Sequence, residues 1–257
     1  MDLKHPPWPS QLWVVRHGQS AGNVARDAAH EAALDRIALE GRDVDVPLSD
    51  LGEKQSRALG RWFATEFGGV LPEVILSSPY RRSVQTAQLF RGEGGARQEE
   101  KICLDERLRE KEFGILDGLT THGIARLEPA QAAFREALGK FYHRPPGGES
   151  WCDVIFRLRA LMDTVSLHYA GQRVIIFAHQ VVVLCLRYII ENMDEGQILA
   201  IDREGDVANC SVTHYHFDPH AGRRGGLVLE SYNVLAPISE RDILITAAPD
   251  LPVVARG

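Results

Sequence analysis

The strongest constraint on the fold is a set of short apolar runs, each ending abruptly in residues that carry chemistry. RVIIFA (173–178) is rich in β-branched residues and apolar at consecutive positions after its arginine, as are QLWVV (11–15) and PEVILSS (72–78) over their central residues. A strand apolar on both sides is buried on both faces, and this occurs where helices cover a parallel sheet. Between these runs the periodicity becomes helical. Glu53 to Phe67 carries Ala58, Leu59, Trp62, Phe63 and Phe67 along one face, with Ser49 placed as N-cap. Tyr80 to Phe90 reads as the next helix. Ser150 and Asp153 match a capping box, opening a helix with Val154, Leu158, Leu161 and Val165 on its buried stripe. A further apolar helix runs to about Asn192. Ser211 to Phe217 and Leu227 to Val234 read as later strands around a polar, Gly-rich loop at 218–226. This alternation predicts an α/β chain: a three-layer α/β/α sandwich with a mainly parallel central sheet. With no internal repeat and no low-complexity linker, one domain over 1–257 is expected.

In such sheets, ligands bind beyond the carboxyl ends of the strands. Three runs end in suitable side chains: Arg16 and His17 after QLWVV, Arg81 and Arg82 after VILSSP, and His179 after VIIFA. Two arginines and two histidines at one sheet edge make a phosphate pocket. Arginine suits a phosphate ester because its planar fork forms paired, charge-assisted hydrogen bonds. A neutral imidazole in line with the ester bond can attack phosphorus, and cations around the equatorial oxygens stabilise the transition state. The departing alkoxide needs a proton, which calls for a carboxylic acid nearby, and the candidate is Glu110 in LREKEFGILDG. Glu106, Glu112 and Asp117 are close enough in sequence to be alternatives.

The formal net charge of −6 implies no broad basic surface, arguing against nucleic-acid or acidic-membrane partners, while a local two-arginine pocket is still allowed. Cys103, Cys152, Cys185 and Cys210 form no CxxC pair and no zinc-type cluster, and are expected to be reduced and mostly in the core. His214 and His216 share one face of HYHFDPH, yet no carboxylate-rich partner motif accompanies them, so no metal and no cofactor are expected. MDLKHPPWPS has no apolar leader segment, and no stretch is apolar for the ~18 residues of a membrane span; a cytoplasmic location is the expectation. Oligomeric state leaves no readable signal.

Six blocks in order carry a family resemblance: VVRHGQSAGN (14–23), LSDLGEKQ (48–55), SSPYRRSVQTA (77–87), LREKEFGILDG (108–118), PGGES (146–150) and VIIFAHQ (174–180). Together they resemble the signature of the histidine phosphatase superfamily, of the phosphoglycerate mutase-like fold, over about residues 12–190. The resemblance implies roles residue by residue. His17 matches the nucleophile, Arg16 and Arg82 the phosphate-binding arginines, His179 the second pocket histidine and Glu110 the proton donor. Arg81 is then a surface residue. Asn23 matches an asparagine lining the phosphate site, although it could equally cap the following helix. Gln19, Ser20, Gln180, Arg26 and Arg42 are further candidates for substrate contact. Gln180 replaces the usual glycine and is similar to the fructose-2,6-bisphosphatase branch. Residues 24–46, with Arg26, Arg36 and Arg42, form a longer stretch than usual and are expected to shape the pocket mouth.

The resemblance implies a phosphomonoester hydrolase acting on a small phosphorylated metabolite through a phosphohistidine. A phosphoglycerate mutase is the alternative. Mutases resembling these blocks carry further basic residues after the Glu110 block, where this chain offers only His122 and Arg126. A catalytically inactive binding or regulatory member is the third reading, weakened by the presence of His17, Arg82 and His179. The PGGES loop supplies Gly147 and Gly148 for a turn and Ser150 for a cap.

Overall fold

The computed structural model describes residues 7–67, 69–236 and 245–247; residues 1–6, 68, 237–244 and 248–257, which the expected single domain includes, lie outside the described residues. Six strands form one sheet: β1 (Gln11–Arg16), β2 (Val74–Ser77), β3 (Ile102–Leu104), β4 (Arg173–Ala178), β5 (Val212–Asp218) and β6 (Gly226–Val234). Their spatial order is β3-β2-β4-β1-β5-β6. β1, β2, β3 and β4 pair in parallel, while β5 runs antiparallel to both β1 and β6. Eight helices accompany them among the described residues: α1 (Ala21–Glu31), α2 (Asp50–Glu66), α3 (Arg81–Gly92), α4 (Thr121–Leu127), α5 (Pro129–Tyr142), α6 (Trp151–His168), α7 (Gln180–Ile190) and α8 (Glu195–Glu204).

The period-two alternation of the strands sends their side chains into two cores. Leu12, Val14, Leu76, Val174 and Ile176 face Val154, Leu158 and Leu161 of α6 and Leu184 of α7. Trp13, Val15, Ile75, Ile175 and Phe177 face Leu59 and Phe63 of α2 and Ala87 and Phe90 of α3. Each large side chain so buried contributes about 1.5–3 kcal/mol. With both faces of the sheet covered, its carboxyl edge is the place left for a site.

α2 begins directly after its cap, where the Ser49 hydroxyl accepts from the Gly52 amide at 3.0 Å. Sequence periodicity passed over β3, α4, α5 and α8. β3 is a three-residue edge strand exposing Cys103 and Leu104, so no alternation could mark it. α5 is interrupted at Gly139, whose φ of 79° breaks the helical register. All four cysteines are free, as expected, but only two lie in the core: Cys185 and Cys210 are buried, Cys152 is half-buried and Cys103 is exposed. No helix among the described residues is long and apolar enough to cross a membrane.

Candidate active site

β1, β4 and β2 are neighbours, so the residues following them converge. The His17 amide donates to the Ala178 carbonyl at 3.0 Å, and the Ser78 amide to the Phe177 carbonyl at 3.0 Å. The His17 and His179 rings lie 5.1 Å apart, edge to face. Both histidines and Arg16 are fully buried. The turn bearing His17 is clamped on several sides. The Asn209 amide donates to the His17 carbonyl at 3.0 Å, and the Gly18 amide donates to the Thr86 hydroxyl at 3.0 Å. Glycine is required at position 18, because a Cβ there would lie 2.6 Å from the Gly52 carbonyl oxygen and 2.8 Å from Ser56 Oγ.

The hydrogen bonds of His17 define its tautomer. Nδ1 lies 2.6 Å from the Gly18 carbonyl, which can only accept, so Nδ1 carries the proton. Nε2 therefore holds the lone pair, and Arg82 Nε donates to it at 3.3 Å. A neutral ring with its Nε2 lone pair beside a guanidinium is what in-line attack on a bound phosphate requires. His179 Nε2 sits 2.8 Å from Ser78 Oγ. The Tyr80 ring packs edge-on against His179 at 5.1 Å, with the Arg82 guanidinium 4.9 Å from its centre. Burial first, then the Glu112 charge, raises the Tyr80 phenol well above its ordinary value, so it remains a donor, to Glu112 at 3.0 Å. Arg16 Nη1 donates to the Val207 carbonyl.

Arg82, only 2% exposed, is also held from the side away from His17. Its Nη1 donates to Asp43 Oδ1 at 3.0 Å and to the Asp43 carbonyl at 2.8 Å, while Nη2 donates to Asp43 Oδ2 at 3.1 Å. Sequence reasoning missed this partner, since nothing local marks one aspartate of GRDVDVP.

Glu110 is buried to 1% exposure, and its Oε1 accepts the Lys111 amide at 2.8 Å. Its loop is braced from beneath. Arg157 of α6 donates to the Arg107 carbonyl, to the Glu110 carbonyl at 3.3 Å, and to both carboxylate oxygens of Glu149 at 2.9 and 3.1 Å. Glu149 in turn accepts the Glu112 amide at 3.0 Å. Burial opposes the Glu149 charge, but the Arg157 guanidinium prevails and holds the carboxyl below the usual range. PGGES is thus a brace for the Glu110 loop. Gly114, at φ 54°, is needed where that loop lies against the backbone of 146–148. Asp117, an alternative donor in sequence, is raised by burial and by the nearby Asp43 charge, and lines a cavity of which Arg82 is another wall.

The other candidates divide. Ser20 caps α1, and Asn23 completes the capping box, its Oδ1 accepting from the Ser20 amide at 2.9 Å. Gln19 Oε1 accepts from Ser49 Oγ at 2.8 Å, tying the turn after His17 to the start of α2. Gln180 donates to Asp206 at 2.8 Å. Arg26 is buried and pairs with Asp27 at 2.8 Å. Arg42 is brought to the surface, paired with Asp45 at 2.7 Å, and Arg81 and Arg36 are also exposed. His122 lies 3.6 Å from Asp35, with which Arg126 also pairs. His214 stacks on Trp13 and meets Gln11 at 2.5 Å, while His216 pairs with Glu230 at 2.9 Å. Among the described residues, no three His, Cys, Asp or Glu side chains converge as a metal site.

A sheet of this order, with two histidines and two arginines at its carboxyl edge, defines an α/β protein of the phosphoglycerate mutase-like fold. The chain belongs to the histidine phosphatase superfamily (branch 1), whose family model matches residues 12–226. A probable phosphoglycerate mutase GpmB of Yersinia enterocolitica is 26% identical over 223 residues, 86% of this chain and 91% of the relative. A mycobacterial glucosyl-3-phosphoglycerate phosphatase, solved with inorganic phosphate, superposes with a TM-score of 0.66 at 26% identity, covering 88% of this chain and 98% of that one. A putative alpha-ribazole-5′-P phosphatase from Escherichia coli shares the fold at 16% identity, with a TM-score of 0.67 over 88% and 98% of the two chains.

Proposed function

We propose that this protein is a phosphomonoester hydrolase that acts on a small phosphorylated metabolite through a phosphohistidine at His17 Nε2. The observation that carries the reading is the tautomer of His17: Nδ1 is committed to the Gly18 carbonyl and Nε2 faces the Arg82 guanidinium. Phosphate seated between Arg16, Arg82 and a protonated His179 has its charge matched at the equatorial oxygens. The Nε2 lone pair forms the P–N bond as the ester P–O bond breaks, and Glu110 gives its proton to the departing alkoxide. Water then attacks phosphorus, the P–N bond breaks, and Glu110, now a carboxylate, takes the proton from that water. No metal enters the scheme, so chelators are expected to leave the rate unchanged.

The mutase reading is favoured by the name of the Yersinia relative. It calls for basic residues that grip a carboxylate, and the two that sequence offered, His122 and Arg126, are engaged by Asp35 and are 60% and 62% exposed. Phosphate release from a panel of phosphorylated metabolites, compared between wild type and H17A, tests the proposal. Release from one or a few esters, lost in H17A, supports it. Interconversion of phosphoglycerates without net release supports the mutase, and neither activity supports the non-catalytic reading.

A further inference from the structure

A cavity of about 110 Å³ has Arg82 in its wall but not His17. Ser20 and Gly22 at the start of α1, Ile37 and Leu39 in the long stretch after it, and Asp43 and Asp117 are among its walls, with Arg82 itself. Backbone bridges from Arg36 to Leu119 and from Ser20 to Leu48 tie this stretch to its surroundings on either side. One guanidinium therefore separates the cavity from the nucleophile: Nε touches His17, and the two terminal nitrogens touch Asp43.

That guanidinium cannot serve two anions with the same edge. The terminal edge that would grip phosphate oxygens is taken by the Asp43 carboxylate, in the bidentate geometry phosphate would use. Asp43 is 32% exposed and sits in a turn of only three residues, whereas Arg82 is buried on α3. The aspartate is accordingly the member able to move. A phosphate dianion displacing it leaves a carboxylate with no cation, at the wall of a cavity that already contains Asp117. A carboxylate at a partly dry wall needs donors.

We propose that Asp43 is a specificity-determining residue of this site: substrate phosphate takes Arg82 from it, and the freed carboxylate then receives a hydroxyl or ammonium group of the ester lodged in the cavity. The inference rests on the phosphohydrolase reading and adds to it a class of ester, one bearing a hydrogen-bond donor close to its phosphate. Asp117, whose carboxyl already feels the Asp43 charge, is the second acceptor. Ile37 and Leu39 supply the apolar wall for the carbon chain.

The test uses D43A and D117A beside wild type and H17A. Orthophosphate binding is measured by calorimetry, and kcat/KM is measured for two three-carbon esters, propyl phosphate and glycerol phosphate. Wild type is expected to prefer the hydroxylated ester by about tenfold, the worth of about one good hydrogen bond. D43A is expected to bind orthophosphate about three- to tenfold more tightly, since the internal competitor is gone. Its preference for glycerol phosphate falls to within about threefold. D117A reduces that preference while orthophosphate binding stays as in wild type. If Asp43 merely orients Arg82, D43A binds orthophosphate more weakly and loses kcat on both esters alike; that result overturns the proposal, as does an unchanged ester preference. Hydrolysis surviving in H17A would instead overturn the phosphohistidine reading. If neither ester is turned over, orthophosphate affinity in D43A still decides: unchanged or weakened binding rejects the displaced carboxylate.

Discussion

Replacing Lys111 with methionine keeps its length and removes a charge that the fold opposes. The Lys111 side chain follows Glu110 directly, is only 8% exposed, and lies with Nζ 4.0 Å from the centre of the Phe113 ring. Burial first, then repulsion from Arg135, pushes its ammonium down from 10.5 to about 8, against the attraction of Glu110 and Glu149. The unfolded chain therefore binds this proton more tightly than the folded one. Between pH 8 and 10.5 the unfolded state carries the extra proton, so stability rises with pH across that window and the full penalty stands below it. At about 1.4 kcal/mol for each tenfold in proton affinity, the gap amounts to about 3 kcal/mol at pH 7. Loss of the cation–π contact returns about 0.5–1 kcal/mol, leaving K111M about 2 kcal/mol more stable than wild type. In urea denaturation at pH 7 this moves the midpoint up by about 1 M. At pH 10 the relieved penalty shrinks to below about 1 kcal/mol, and the two proteins nearly coincide. A variant no more stable than wild type at pH 7, or a gain that does not change with pH, would refute the reasoning. A buried ammonium whose proton affinity is lowered in this way is the kind of group found at functional sites, where stability is given up for charge placement.

Glu110→Gln is expected to slow hydrolysis of alkyl phosphates by about 10²–10⁴-fold, while 4-nitrophenyl phosphate, whose leaving group needs no proton, is affected far less; equal losses on both would remove Glu110 from the donor role. Gly18→Ala drives a Cβ into the Gly52 carbonyl and Ser56, and is expected to lower stability by about 1–3 kcal/mol and the rate by about 10²-fold, read from thermal denaturation and turnover. His214 is pushed down to about 4, chiefly by burial, so stability present above pH 6.5 is lost as pH falls toward 4. By pH 5 the loss is about 2 kcal/mol, and H214Q should lack that part of the acid sensitivity. An identical pH–stability curve for H214Q would show that this histidine is not responsible.

Much of the site could be read from sequence because its members follow strand ends directly. A run such as VIIFA is apolar on both faces and so must lie inside a sheet, and the polar residue ending it must emerge at the edge. His17, Arg16 and His179 were located in this way, as was the Arg81–Arg82 pair that opens the next helix, of which the family resemblance singled out Arg82. The Ser150–Asp153 capping box and the Ser49 cap were equally legible, since both motifs close within three residues. Asn23 was ambiguous for the same reason: a capping box and a ligand position can share one side chain.

The amino-acid sequence by itself determined which strands are buried, where they end, and which side chains they carry to the sheet edge. Those are properties of neighbouring residues and of the strand's period of two. Tertiary structure alone decided which nitrogen of His17 carries the proton, that Asp43 holds Arg82 across 39 positions, and that Glu149 braces the Glu110 loop through Arg157. It also decided that Lys111 is buried while Arg42, equally basic in sequence, stands in solvent. Each of these depends on where a distant segment packs, and no local pattern records that distance.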